Sequence, residues 1–143
     1  MKRNGFSQQG IAVVEFVIVI PVVLVLLVGI VEFGSALVRY NTLNKMVQNG
    51  VRYAVTDIYG TASSDQIASV TSIKNMVLYG HTGTGTTPLL EGVTASDITV
   101  THANKYVSVT VSYDYTPLLS IVPSVVMDMS FDLTATAVSR TSL

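Results

Sequence analysis

The sequence predicts an α+β fold with a long N-terminal helix, a short second helix and a small antiparallel sheet of about three to four strands. Three observations lead to this prediction. An apolar run begins at Ile11, a helical pattern with steps of three and four follows it, and an alternation with a period of two replaces that pattern after residue 97. The length of 143 residues suffices for one small domain of ordinary size.

The apolar run at residues 11–31 predicts a transmembrane helix. Glu15 is its only charged residue. At about 1.5 Å per residue the run is about 31 Å long, close to the hydrocarbon core of about 30 Å in a typical bilayer. Lys2 and Arg3 precede the run, and the positive-inside rule therefore keeps the N-terminus cytoplasmic. We expect residues 35–143 to form an extracytoplasmic α+β domain.

The helical pattern continues beyond the membrane run. Arg39, Lys45, Gln48 and Arg52 are expected on a polar face. The sequence predicts one helix from about Ile11 to Tyr59, roughly 70 Å long, with Gly60 as its C-terminal stop. The expected apolar face consists of Ala36, Tyr40, Leu43, Val47, Val51, Ala54 and Ile58.

The remaining elements are predicted from shorter signals. A second helix is expected at about residues 64–78, capped by Ser63 or Ser64. The glycine- and threonine-rich segment that follows is typical of a surface loop. Three alternating runs, at residues 98–102, 107–113 and 129–139, predict antiparallel strands, and residues 103–105 the first hairpin turn. The amphipathic half of the first helix is expected to cover one face of this sheet.

Glu15 is the unusual residue of the apolar run. By analogy with Asp, a carboxylate at the centre of a membrane helix costs about 2.5–3.5 kcal/mol. Cleavage between Gly10 and Ile11 would remove residues 1–10 as a leader peptide and create an amine four residues before Glu15, on the same helical face. That amine, or better the amine of a neighbouring copy, could neutralise Glu15 and fix the stagger between adjacent helices.

The residues around this position resemble a known family. The run GIAVVEF, from Gly10 to Phe16, resembles the processing site of type IV pilin-like precursors. The longer segment GIAVVEFVIVIPVVLVLLVGIVEFGSAL, with its internal Pro21 and its Glu32–Phe33–Gly34 element, is similar to the opening of TadE-like pseudopilins of the tight adherence (Tad, Flp-type) pilus system. A weaker similarity continues through YGHTGTG, VSVTVSYDYTPL and a last strand that ends at Arg140.

This resemblance implies a minor pilin or assembly pseudopilin of the bacterial inner membrane that supports pilus biogenesis and adherence. It implies a prepilin peptidase that cuts after Gly10, and residues 11–34 as a transmembrane and assembly segment. The expected partners are other pilin or pseudopilin subunits, the inner-membrane assembly platform and membrane lipid. The residues assigned to cleavage are Gly10 and Ile11, and those assigned to subunit pairing are Ile11, Glu15 and Phe16.

One departure from the family pattern lies just before the cleavage site. Many family members carry a basic residue next to the glycine, whereas this chain has Gln8 and Gln9 there. Retention of the N-terminus in the cytoplasm therefore depends on Lys2 and Arg3.

Two other interpretations remain open at this point. The sequence Gly34-Ser35-Ala36 fits the small residues of an ordinary signal-peptidase site, which would release an exported binding domain that starts at Leu37. Alternatively, the helix is an uncut static anchor and Glu15 lies at the membrane edge. Glu15 inside the apolar core argues against an ordinary signal peptide.

The sequence offers no residues for an enzyme, a cofactor or a metal site. Its net charge of −1 and eight scattered basic residues do not favour nucleic-acid binding. There is no Cys, and His81 and His102 are far apart in the chain. The glycine-rich GHTGTGT lacks the Lys-Ser/Thr ending of a P-loop. Tyr106, Tyr113 and Tyr115 are expected to fill the faces of the sheet.

Overall fold

The computed structural model describes residues 7–56, 67–117 and 130–141. Its elements follow in the order α1 (Ser7–Thr56), α2 (Val70–Tyr79), β1 (Ile98–Ala103), β2 (Tyr106–Tyr115) and β3 (Phe131–Arg140). The predicted α+β class is confirmed, with three strands in the described sheet. The predicted helix stop at Gly60 and the predicted caps Ser63 and Ser64 lie outside the described residues.

Helix α1 is a single helical element of 50 residues that contains Pro21. Because proline has no backbone N–H, the helix lacks the hydrogen bond that residue 21 would donate to the carbonyl of Val17. The contacts within the chain define two units. One contains α1 up to Ser35. The other begins at Ala36 and contains the rest of α1, α2 and the sheet.

The sheet is antiparallel with the strand order β1-β2-β3. Val100 is registered with Val109, and Val109 with Ala137, so that side chains of like character share one face. We call this the inner face; on β2 it consists of Val107, Val109, Val111, Tyr113 and Tyr115, which are all buried. The opposite outer face consists of Thr99, Thr101 and Ala103 on β1, Tyr106, Ser108, Thr110, Ser112 and Asp114 on β2, and Asp132, Thr134, Thr136, Val138 and Arg140 on β3.

The hairpin between β1 and β2 turns at Asn104 and Lys105, at the predicted place. Both residues have positive φ angles, 53° and 64°. A two-residue turn with two positive φ angles matches the right-handed twist of the strands it joins. The Lys105 carbonyl also accepts a hydrogen bond from the Thr141 backbone N–H at 2.9 Å, which ties the end of β3 to this turn.

The core lies between residues 36–56 of α1, helix α2 and the inner face of the sheet. Gly50 of α1 marks the closest approach: a Cβ atom there would collide with Cγ2 of Val77 and lie 3.6 Å from Cγ1 of Val109. Of the apolar face predicted for α1, Ile58 lies outside the described residues, and the other members are buried except for Tyr40, which is 40% exposed. The buried residues that α1 contributes are Ala36, Leu43, Met46, Val47, Gly50, Val51 and Ala54.

Helix α2 begins at Val70, and the prediction that it starts near residue 64 is wrong. Ser69 is its N-cap and accepts a hydrogen bond from the Ser72 backbone N–H at 3.2 Å. The preceding backbone is held elsewhere, because the Ala68 N–H donates to the carbonyl of Ala54 at 3.1 Å. Gly80 ends the helix in the left-handed conformation, with φ of 75°, as C-terminal glycines often do.

Candidate cleavage and assembly segment

The residues predicted for cleavage and pairing all lie in the first turns of α1. Because the helix begins at Ser7, the bond between Gly10 and Ile11 lies within the helix, near its N-terminal end. Gly10, Ile11, Glu15 and Phe16 are all exposed in the chain, with Ile11 exposed to 69%. This segment therefore presents its surface to other molecules.

Ile11 and Glu15 share one face of α1. A spacing of four residues places them one above the other, separated by about 6 Å along the helix axis. Val14 and Ile18 lie on the same side, so that Glu15 is a carboxylate in otherwise apolar surroundings. Phe16 is rotated by about 100° from Glu15, because successive residues of an α-helix are about 100° apart. Phe16 thus projects from another side of the helix.

Close packing against the described residues does not require a glycine at position 10. A Cβ atom at this position would meet no heavy atom within 4 Å. Glycine nevertheless lowers local helix stability by about 1 kcal/mol relative to alanine. At this position glycine makes the helix around the Gly10–Ile11 bond easier to unwind.

The part of α1 that follows Glu15 is apolar on all sides. Its most hydrophobic 18-residue window has a mean hydropathy of 3.2, and none of that window is buried inside the chain. A helix with apolar residues all round its circumference needs lipid or other helices around it. This helix fits a single-pass membrane anchor. Its large exposed side chains are Phe16, Val17, Ile18, Val19, Ile20, Val22, Val23, Leu24, Val25, Leu26, Leu27, Ile30 and Val31.

Glu32 behaves differently from Glu15. It is 3% exposed and has a polar partner. The sequence pattern did not predict a buried position for Glu32, which stands in the Glu32–Phe33–Gly34 element. Its position at the end of an apolar run was a signal that it needs partners, because a buried carboxylate is costly without them.

Arg39 contacts two tyrosines of the sheet, which its sequence pattern did not predict. The sequence analysis placed it on the polar face, whereas the structure places it half-buried against two tyrosines. Its guanidinium carbon lies 5.7 Å from the ring centre of Tyr113 and 5.2 Å from that of Tyr115. These distances fall within the range of cation–π attraction. Arg39 Nη1 also donates a hydrogen bond to the hydroxyl of Tyr113.

The tyrosines and histidines do not form a reactive site in the described part of the chain. Tyr113 and Tyr115 are buried on the inner face, whereas Tyr106 is exposed on the outer face. The His81 ring stacks on that of Tyr79 with 5.9 Å between centroids, and His102 lies on β1. Among the described residues, no group of three or more His, Cys, Asp or Glu side chains is placed to hold a metal ion.

One comparison with known proteins matches this part of the chain. The sequence model of the family described as TadE-like protein matches residues 10–52. The match thus begins at Gly10, spans the apolar run and ends within the part of α1 that packs on the sheet. No curated protein and no solved structure matches the chain significantly.

Proposed function

We propose that this chain, which has a TadE-like N-terminal segment, is a minor pilin-like subunit of a Tad pilus that is cut after Gly10 and assembles through α1. The observation that carries the proposal is the position of Glu15. It lies one helical turn beyond Ile11, on an exposed and otherwise apolar face, at the start of a membrane-spanning run. The TadE-like match over the same residues supports the pilus-associated role.

Cleavage after Gly10 is the first step of the proposal. A peptidase must draw the bond between Gly10 and Ile11 into its active site, which requires local unwinding of the helix. The bond lies near the beginning of α1, where helix ends fray, and glycine reduces the cost of unwinding by about 1 kcal/mol. Both residues are also exposed, so that the peptidase can reach them.

Charge neutralisation is the second step. Cleavage converts the Ile11 backbone nitrogen into an amine, which is positively charged at neutral pH. A neighbouring copy shifted by one helical turn, about 6 Å, brings its amine to the level of Glu15. The pair replaces an isolated carboxylate in lipid by a neutral contact, and charged groups within membranes are usually paired in this way. The stagger between neighbours is thereby fixed.

Lateral contact between helices is the third step. Around the apolar run, lipid and neighbouring helices compete for the same exposed side chains, and close packing decides which of them is favoured. Phe16 projects from a different side of the helix than Glu15 and can contact a second neighbour. In this proposal the chain is held in the bacterial inner membrane with its N-terminus cytoplasmic, and it contributes to pilus biogenesis and surface adherence.

The N-terminus of the protein isolated from cells tests the cleavage step. Mass spectrometry should find a start at Ile11 in cells with prepilin peptidase and a start at Met1 in cells without it. Gly10→Val should block the cut, whereas Gly5→Val, a matched change elsewhere in the leader, should not. A start at Leu37 would show an ordinary signal peptide, and an uncut chain in the presence of peptidase would show a static anchor. Either result would refute the cleavage step.

Substitution of Glu15 tests the pairing step separately. Glu15→Gln keeps the size of the side chain and removes its charge, and Glu15→Ala removes both. Both variants should be cut normally yet fail to support pilus assembly, because the amine of the neighbour loses its partner. Glu91→Gln, at an exposed glutamate in the loop before β1, is the matched control and should assemble as the wild type does. Normal piliation in a strain that produces only Glu15→Ala would disprove the pairing.

A further inference from the structure

The unit that begins at Ala36 has two bare surfaces on opposite sides. One is the outer face of the sheet. The other is a row of exposed residues on α1, spaced by three or four and turned away from the core. We call this row the helix stripe; it consists of Val38, Asn41, Lys45, Gln48 and Arg52. Within the described residues, α1 covers only the inner face of the sheet and nothing lies on either bare surface.

The helix stripe and one end of the outer face carry opposite charges. Lys45 and Arg52 give the helix stripe a positive charge, and residues 36–56 contain no acidic residue. On the outer face Asp114 lies directly opposite Asp132 in the register of β2 and β3. Both are exposed, and in the part of the chain that the structure describes neither carboxylate has an ion pair or a hydrogen bond. Like charges directly opposite each other on a sheet are destabilising, so this end of the outer face favours a cation from elsewhere.

We propose that a second copy of the chain docks the acidic end of its outer face on the helix stripe, with Asp114 and Asp132 around Lys45. The proposal rests on the pilin-like function, because that function places copies of the chain side by side. The two surfaces lie on opposite sides of the unit, and their contact is therefore head-to-tail and can be repeated from copy to copy. A two-fold dimer through the helix stripe would instead bring like charges together.

The packing of α1 on the sheet determines the position of this contact along the axis of α1. Arg39 contacts Tyr113 and Tyr115, which flank Asp114, whereas Gly50 faces Val109. Helix α1 and strand β2 therefore run in opposite directions, and Asp114 lies at the level of Arg39. Lys45 follows Arg39 by six residues, or about 9 Å along the helix axis. A copy shifted outward by about 9 Å thus brings its acidic pair opposite Lys45, and it is a different neighbour from the one shifted by about 6 Å whose amine meets Glu15.

Cross-linking between two marked copies tests the contact. The chain has no natural cysteine, so each introduced cysteine is unique. One copy carries Gln48→Cys, one turn above Lys45, and a co-produced copy with a different tag carries Thr134→Cys, two residues above Asp132 on the outer face. Both sites are exposed. A short bifunctional thiol reagent applied to membranes should join the two tagged chains, and neither variant alone should form a dimer.

A matched control and a charge reversal make the test specific. Thr84→Cys, an exposed threonine in the loop after α2, replaces Thr134→Cys and should give only background. Adding Lys45→Asp to the Gln48→Cys copy should reduce the cross-link about fivefold, since about 1 kcal/mol of attraction is replaced by repulsion. Adding Asp114→Asn and Asp132→Lys to the other copy should restore it.

The outcomes separate this inference from the pilin-like function. The docking would be overturned if the Thr84→Cys copy cross-linked as well as the Thr134→Cys copy. It would also be overturned if Lys45→Asp left the cross-link unchanged, or if the product contained a different protein instead of the second copy. The N-terminal mass is read on the same membranes. A chain that starts at Ile11 but does not cross-link refutes only the docking, whereas a specific cross-link between chains that start at Leu37 refutes only the pilin-like processing.

Discussion

Gly50 is the position where the packing of α1 should be most sensitive to a single added methyl group. Gly50→Ala puts a Cβ atom into Cγ2 of Val77, which is fully buried, and 3.6 Å from Cγ1 of Val109. Overpacking of a dense core costs about 1–3 kcal/mol, and the collision with fully buried Val77 places Gly50→Ala in the upper part of that range, at about 2–3 kcal/mol. Alanine recovers about 1 kcal/mol through its higher helix propensity. We therefore expect a net loss of about 1–2 kcal/mol in the free energy of unfolding.

The loss can be measured on the full chain in detergent micelles. The apolar part of α1 dominates the far-UV signal, so the unfolding of the sheet domain is better followed by near-UV circular dichroism of the seven tyrosines. For a domain of this size the loss lowers the melting temperature by roughly 4–15 °C. Gly34→Ala is the matched control, because a Cβ atom there meets no heavy atom within 4 Å, and it should leave the melting temperature unchanged or raise it.

A double substitution identifies the cause of the loss. Val77→Ala removes the atom with which the new Cβ collides, at the cost of a cavity. If the collision is the cause, Gly50→Ala combined with Val77→Ala should be less damaging than the sum of the two single changes, by about 1 kcal/mol or more. Strict additivity, or a Gly50→Ala variant as stable as the wild type, would refute the close approach of α1 and α2.

Two further substitutions test other contacts of the domain. Arg39→Ala should lower the free energy of unfolding by about 1–2 kcal/mol, because it removes the cation over Tyr113 and a hydrogen bond. Arg39→Lys should lower the free energy of unfolding by less. Equal stability of these two variants and the wild type in denaturant unfolding would contradict the contact. Lys105→Gly should raise the free energy of unfolding by about 0.5–1 kcal/mol, since glycine adopts positive φ without strain. Asn104→Gly should raise it by less, because asparagine tolerates that conformation. A thermal melt in which Lys105→Gly is destabilised would disprove this account of the turn.

The strands could be predicted from the sequence because their two faces differ so clearly in composition. Along β2, valines and tyrosines alternate with serine, threonine and aspartate, and a register shift of one residue would expose the entire apolar set. The turn at Asn104 was likewise predicted, because the alternation breaks there. These signals are local, and the structure had only to bring together elements that the sequence already specified.

The borders of α1 and α2 could not be predicted in the same way. Tyr40 and Arg39 lie at the edge of the buried face, where the helical period alone does not decide which side chain turns inward. Arg39 is held there by Tyr113 and Tyr115, which lie more than seventy residues away in the chain. The start of α2 depends on the hydrogen bond from Ala68 to Ala54, which lies fourteen residues earlier in the chain.

The candidate site, by contrast, could be proposed from the sequence alone, because the physical argument for it is local. The cost of a carboxylate in lipid and the spacing of four residues to Ile11 need no tertiary structure. The buried surroundings of Glu32 are different, because they depend on groups that the helical pattern does not reveal.

In the proposed function, helix α1 combines two tasks, and the two tasks use different residues. Near its start, Glu15 is exposed and can act only through another molecule, whereas Gly50 is buried between α2 and β2 and acts within its own chain. Their effects should therefore separate. Glu15→Gln should abolish assembly without changing the melting temperature, and Gly50→Ala should lower the melting temperature without changing the start at Ile11. If Glu15→Gln instead destabilised the sheet domain, its effect on assembly would be indirect, and the pairing of Glu15 with a neighbour would lose its support.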